Sequence, residues 1–302
     1  MMRLKLPGTA VRVIDATDFL AVNGSLSYKP DRVVYAGTIN TALGQLESDL
    51  GLKRNDKGSV THINGNLKSH NLKIGGLAKM PDVLNELAFD INANVTLAGG
   101  LPYGNVDGTI NYIDLKGYRY NNINADLGID GRNYDGKICL HDPNVDLDIE
   151  GKFRPDGENT VVDVVANLAN LSLANLNLTN KYSNYRLNGS AEVSLTGNNI
   201  DNVEGDLMLS DLSFINAENE GINIDHFDIT ARQKDAGKYY TINSEICNGY
   251  IDGTTNFAGL TTSFKHIVGN IFPSLADFIP ANGKAKSNNI KDFVFFINIA
   301  EN

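Results

Sequence analysis

Residues 144–153 read Asn-Val-Asp-Leu-Asp-Ile-Glu-Gly-Lys-Phe, and this stretch decides the fold class. Its apolar residues alternate with charged ones, and successive side chains of a β-strand point to opposite faces of the sheet. One face of such a strand is apolar and the other is charged. The same alternation recurs in residues 123–131 and 187–197 and, with one shift of phase, in residues 222–231. The sequence therefore predicts an all-β protein whose strands bury one face only.

The composition excludes several classes of protein. The 302 residues carry a formal net charge of -10, so a surface that neutralises nucleic-acid phosphates is not expected. No stretch has the apolar length of a membrane-spanning helix, and residues 1–7 lack the long apolar segment of a secretion signal. We find no linker, and we expect residues 1–302 to form one elongated unit cut from a longer protein.

Phase shifts in the apolar pattern indicate bent strands. In residues 162–178 spacings of two are broken by two spacings of three, and residues 118–123 contain the same shift. A shift turns every later side chain to the other face unless a β-bulge absorbs the extra residue. Four Asn-Gly pairs add positions that suit tight turns or bulges. These features favour a bulged antiparallel sheet over a β-helix with a fixed coil period.

Signals for helices are few. Residues 262–272 have helical apolar spacing behind a Thr or Ser cap and stop at Pro273, and residues 80–87 give a weaker signal. Residues 43–52 alternate well enough to favour a strand. Two short helices cannot cover a long sheet. The sheet must close on itself, pair with a second sheet, stack as a solenoid, or leave its apolar face as a groove.

The sequence contains few candidate catalytic or metal-binding residues. The five histidines show no paired metal-ligand spacing, and no zinc site is predicted. The acidic residues from Asp142 to Glu150 suggest a calcium loop, but the required Gly and Glu never occur together at their positions. We assign these carboxylates to the solvated face of a strand. Nucleophile-elbow, phosphate-loop and dinucleotide motifs do not occur, whereas paired carboxylates for glycoside hydrolysis stay open.

The two cysteines, Cys139 and Cys247, give no disulfide framework. Each lies in a strand-like segment, where alternation turns it to the face opposite its apolar neighbours. Two free thiols are favoured over one disulfide.

A resemblance to a known family rests on several sequence units taken in order. These units are residues 71–75 with 87–95, then 117–123, 136–151, 168–178, 195–207 and 244–273. Together they resemble the TamB translocation and assembly module group of the AsmA-like superfamily, in its Bacteroidetes form, over roughly residues 60–280. The resemblance implies an elongated antiparallel sheet curled lengthwise into a groove with an apolar interior.

The resemblance also implies a function, partners and a location. Members of this family lie in the periplasm of diderm bacteria, anchored in the inner membrane by an N-terminal helix. They are linked to phospholipid transport toward the outer membrane or to assembly of outer-membrane β-barrel proteins. For this chain the resemblance implies a non-enzymatic protein, anchored through a segment outside residues 1–302, that contacts phospholipid acyl chains or an outer-membrane barrel protein. It implies no catalytic residue, cofactor or metal.

The alternating pattern identifies candidate residues for the lining of the groove. An apolar channel would shield acyl chains at about 0.8 kcal/mol per buried methylene. At any single position ordinary core packing is the alternative, so the expectation concerns the continuous stripe. The candidate lining residues are Leu127, Ile129, Ile138, Leu140, Val145, Leu147, Ile149, Val162, Val164, Val193, Leu195, Leu207 and Leu209.

Two other function classes stay open at this point. One is an adhesive or structural β-solenoid that binds proteins or glycans, in which the apolar faces form an ordinary core. The other is a carbohydrate-active β-helix enzyme, which would carry a cluster of perturbed carboxylates in a cleft.

An open groove predicts an extended particle in solution. The radius of gyration from small-angle X-ray scattering should clearly exceed the roughly 19 Å of a compact globule of 302 residues. The reason is that one curled sheet distributes its mass along a single axis. A measured value near 19 Å would favour a closed sandwich instead.

Overall fold

The computed structural model describes residues 19–75, 83–198, 202–234, 237–253 and 293–299. Within these ranges all the regular elements are β-strands. No helix among the described residues is long and apolar enough to cross a membrane. The strands are β1 (Phe19–Lys29), β2 (Arg32–Thr41), β3 (Gly44–Arg54), β4 (Val60–Lys73), β5 (Leu84–Ala98), β6 (Leu101–Leu115), β7 (Tyr118–Asp130), β8 (Asn133–Asp142), β9 (Val145–Asp156), β10 (Asn159–Leu171), β11 (Arg186–Gly197), β12 (Glu204–Ile215), β13 (Gly221–Lys234), β14 (Gly237–Ser244), β15 (Cys247–Gly253) and β16 (Phe293–Ile299).

The chain divides into two compact units, Met1–Ala125 and Asp126–Asn302. In the first unit each of the strands β1 to β5 pairs antiparallel with the next strand in the chain. In the second unit β8 to β16 pair in the same way. The predicted all-β class and antiparallel order are confirmed. A β-helix would need parallel coils, and the paired strands described here do not form them.

The first unit separates apolar from polar side chains between its two faces. Leu67 of β4 lies opposite Ile91 of β5 on one face of the sheet. On the other face Lys68 lies opposite Asp90, and the lysine Nζ is 3.3 Å from a carboxylate oxygen. Among the described residues of this unit, the buried apolar ones are Ala88, Phe89 and Val95.

Two glycines, one in each unit, allow neighbouring strands to approach closely. A Cβ on Gly65 would lie 1.8 Å from the Asp49 carbonyl oxygen. A Cβ on Gly205 would lie 1.9 Å from the Ser194 carbonyl oxygen. Their φ angles of 130° and 141° are also ones that other residues rarely adopt. The predicted Asn-Gly turns lie inside strands, although the pair that begins at Asn188 coincides with a register shift. Glycine is needed at Gly65 and Gly205 for strand packing rather than for chain reversal.

The local predictions have mixed outcomes. The strand expected at residues 43–52 is confirmed from Gly44 onward, within β3. The weak helix signal at residues 80–87 is wrong from Leu84 onward, because Leu87 pairs with both Leu72 and Ile113 in the sheet, and this pairing overrides local spacing. The predicted helix at residues 262–272 lies outside the described residues.

The bulge predictions are confirmed in part. In β10 the register shifts between Leu168 and Leu171, and Asn170 has a left-handed φ of 57°. Asn122 in β7 has a similar φ of 56°. The expectation that the strand continues to Leu178 is wrong. It ends at Leu171, and residues 172–185 leave the sheet before β11 begins.

Candidate functional site

One face of the second unit carries a continuous apolar surface, which we call the apolar face. Ile138 lies opposite Ile149 across β8 and β9. In β10 to β12 the register places Val164 opposite Val193, and Val193 opposite Leu207. Side chains that lie directly opposite each other in paired strands point to the same face of the sheet, and so do side chains two positions apart on one strand. These pairs therefore lie on one side of the sheet.

Strand β7 extends the apolar face. A Cβ on Gly136 would lie 3.3 Å from Cδ1 of Leu127, so Leu127 shares the face of β8 that carries Ile138. Ile129 follows two positions later in β7 and points the same way. The structure therefore brings all the predicted lining residues onto the apolar face.

Most of these lining side chains remain partly exposed. Leu140 and Val145 are buried, but Leu127 and Ile138 are 38% and 46% exposed, and the others are half-buried. A sealed core would exclude water from nearly all of them. Contiguous exposed apolar surface is typical of sites that bind lipids or other proteins.

The opposite face of the same strands is polar. Asp146 and Asp148 of β9 lie opposite His141 and Cys139 of β8, on the side away from the lining residues. The predicted separation of acidic from apolar side chains is confirmed for Asp146, Asp148 and Glu150.

Asp142 does not follow that prediction. It is buried and lies opposite Val145, at the turn that joins β8 to β9. Its Oδ1 accepts a hydrogen bond from the Asn144 backbone N–H at 3.0 Å. Asp142 is therefore a turn residue. It was predicted to lie with the strand carboxylates because its position continues their alternating spacing.

A concavity of about 640 Å³ lies mainly on the polar face, where no site was predicted, although Ile149, Val164 and Val193 also contribute to its lining. Charged side chains of both signs line it, including Lys137, Asp148 and Glu192. Two of its lining residues form an ion pair, with Nη2 of Arg154 2.9 Å from Oδ2 of Asp163. The hydrogen bond between the Cys139 thiol and Asp148 lowers the pKa of the Asp148 carboxyl.

Residues 172–185, which we call the cap segment, pack against the second unit near the β8–β9 turn. The Ser172 N–H donates to the Asn144 carbonyl oxygen at 2.9 Å, and the Asn175 side-chain amide donates to Asn144 Oδ1 at 2.8 Å. Leu176 is 1% exposed. The two buried lining residues belong to the strands that meet at this turn. The cap segment therefore lies next to the turn at the end of the apolar face where these two residues occur.

Aromatic rings fix the other end of the cap segment. The rings of Tyr182 and Tyr185 lie with their centroids 5.3 Å and 4.9 Å from that of Phe214 in β12. Phe214 lies opposite Leu187 of β11. Sequence reasoning missed the cap segment, and the available signal was the asparagine-rich composition of residues 170–184, which is typical of turns.

The two cysteines lie on opposite faces of the second unit. Cys139 lies opposite Asp148 on the polar face, whereas Cys247 is in phase with Ile251, which packs against the buried pair Ala231 and Tyr240. Both are free, as predicted. Burial raises the pKa of the Cys247 thiol.

Comparisons with protein-family models, with curated proteins and with solved structures found no match. The family resemblance stays a prediction from the sequence. The two faces of the sheet in the second unit therefore provide the evidence for a function.

Proposed function

We propose that the apolar face binds the acyl chains of phospholipids. In this proposal the chain belongs to a periplasmic protein of a diderm bacterium that transports phospholipid between the inner and outer membranes or assists assembly of outer-membrane proteins. One observation carries the proposal: the lining residues share one face, and all but Leu140 and Val145 stay partly exposed. An acyl chain on this face would remove that apolar surface from water.

The dimensions of the apolar face suit an acyl chain. From Leu127 in β7 to Leu209 in β12 the stripe crosses five inter-strand steps of about 4.8 Å, which gives a length of about 24 Å. One acyl chain spans half of a hydrocarbon layer, or about 15 Å. The stripe is therefore long enough to shield one acyl chain, while the charged opposite face stays hydrated.

The two other function classes receive less support. An enzyme that cleaves glycosides needs a carboxylic acid whose pKa is raised so that it can donate a proton. In the polar concavity the pKa of Asp148 is lowered instead. A β-solenoid needs stacked coils, whereas the described strands form an antiparallel series.

Replacing Val193 by lysine should weaken acyl-chain binding at least about tenfold. The substitution places a charged group in the stripe, and that group must keep its water, so the acyl chain loses contact there. Folding should be affected little because this half-buried side chain can reach solvent. The measurements are titration with a fluorescent fatty acid and thermal denaturation of the same samples.

The matched control is Val165→Lys. Val165 is 45% exposed and lies on the polar face, opposite Glu192, so this variant should bind like the wild type. Equal loss in both variants would contradict a role for the apolar face. If Val193→Lys simply unfolds the protein and the wild type binds no fatty acid, the face is an ordinary core.

A series of fatty acids tests the chemistry of binding. Affinity should rise about fourfold for each added methylene, because each buried methylene contributes about 0.8 kcal/mol. The increase should stop once the stripe is filled. Affinity that does not depend on chain length would indicate recognition of the head group instead.

A further inference from the structure

Three side chains on the polar face of β8 and β9 bring metal-binding atoms close together. The Sγ of Cys139, a ring nitrogen of His141 and a carboxylate oxygen of Asp148 all lie within 4.8 Å of one another. Cys139 is directly opposite Asp148 in the hairpin. Backbone pairing therefore holds the three residues in place without a ligand.

His141 is already oriented by a carboxylate. Its Nδ1 lies 2.6 Å from Oδ1 of Asp146, the residue opposite it in β9. Histidines that bind metals usually donate one ring N–H to a carboxylate, which fixes the ring and leaves the other nitrogen for the metal. With Nδ1 donating to Asp146, Nε2 keeps its lone pair.

Asp148 supplies a second and independent observation. Its Oδ1 is buried and has no hydrogen-bond partner among the described residues. A buried carboxylate oxygen without a partner is costly, and a bound ion is one way to satisfy it. The Cys139 Sγ lies within 4.8 Å of a carboxylate oxygen of this residue, directly across the hairpin.

We propose that Cys139, His141 and Asp148 bind a zinc ion, with Asp146 as the residue that orients His141. The donor set of thiolate, imidazole and carboxylate suits Zn²⁺ and does not suit Mg²⁺ or Ca²⁺, which prefer oxygen ligands. Donor atoms around tetrahedral zinc lie about 3.5 Å apart. Side-chain rotations that move the donor atoms by about 1 Å would therefore bring them to this separation.

Three protein ligands leave the fourth position of the zinc open. Asp148 also lines the concavity of about 640 Å³, so a small molecule bound there would lie beside one of the three ligands. The proposal rests on the polar face and does not depend on acyl-chain binding.

Cobalt binding provides the test, because cobalt replaces zinc and absorbs light when a thiolate is bound to it. Metal-free, untagged protein of the full 302 residues should bind one equivalent of Co²⁺ with a sulfur-to-metal charge-transfer band, and Zn²⁺ should displace it. Cys139→Ser should lose the band. His141→Ala and Asp148→Asn should lower the zinc affinity at least about 100-fold, and Asp146→Asn about 10- to 100-fold with the band retained.

Two control variants match these substitutions. Cys247→Ser removes the thiol on the apolar face. His70→Ala removes a histidine that pairs with Glu47 at 3.0 Å in the first unit. Both variants should bind cobalt as the wild type does. A band that is absent from the wild type, that survives Cys139→Ser, or that disappears in Cys247→Ser would overturn the proposal.

Alkylation of the wild-type protein gives a readout that needs no variant. Zinc should slow modification of Cys139 at least about tenfold and leave the rate at Cys247 unchanged, because a metal-bound thiolate is no longer a free nucleophile. Peptide mass spectrometry distinguishes the two sites. Equal rates at Cys139 with and without zinc would contradict the proposal even if every variant failed to fold.

Discussion

Gly205→Ala is expected to lower the free energy of unfolding by about 4 kcal/mol. The new Cβ would lie 1.9 Å from the Ser194 carbonyl oxygen, and the φ of 141° adds backbone strain. The strands β11 and β12 must separate locally to accept it, which breaks pairs such as Val193 with Leu207. Urea denaturation followed by far-ultraviolet circular dichroism measures the loss.

Gly157→Ala is the matched control for this prediction. Gly157 has a φ of 62°, but nothing lies within 4 Å of its Cβ position. The alanine should therefore cost only the strain of a left-handed backbone, about 1 kcal/mol. If both variants lose the same stability, close strand approach is not the reason for glycine at Gly205.

Leu176→Ala should destabilise the second unit by about 3 kcal/mol and release the cap segment. Leu176 is 1% exposed, so its truncation leaves a cavity that the surroundings fill only in part. Released backbone should exchange its amide hydrogens faster in residues 172–185. Chemical denaturation and hydrogen exchange with mass spectrometry measure the two effects.

Leu178→Ala is the matched control, because it removes the same type of side chain from an exposed position in the same segment. Leu178 is 46% exposed, and its truncation should change stability by less than about 0.5 kcal/mol. Exchange in residues 172–185 should stay at the wild-type rate. If Leu178→Ala lowered stability as much as Leu176→Ala, the burial of Leu176 would not be the reason for its effect.

The faces of the sheet were predictable from the sequence, because alternation is a local property of the chain. Val145, Leu147 and Ile149 lie on one face and Asp146 and Asp148 on the other, as the period of two requires. The pattern needs no knowledge of the partner strands.

Features that depend on strand register were not predictable in the same way. Cys139 and Asp148 lie nine positions apart in the chain, and only the β8–β9 register makes them direct neighbours. For the same reason the search for metal-ligand spacing along one stretch of sequence missed this cluster. The asparagine-rich composition of the cap segment indicates turns, but it does not specify the contact between Tyr185 and Phe214.

The chain-ordered pairing of the strands has a consequence for folding kinetics. Within each unit, the pairs formed by the described strands join neighbours in the chain, so each contact closes a short loop at low entropic cost. Assembly can begin at any hairpin and spread strand by strand, as in repeat proteins. Stability then accumulates from nearest-neighbour interfaces, so unfolding should start at the outermost strands and proceed inward rather than in a single concerted step.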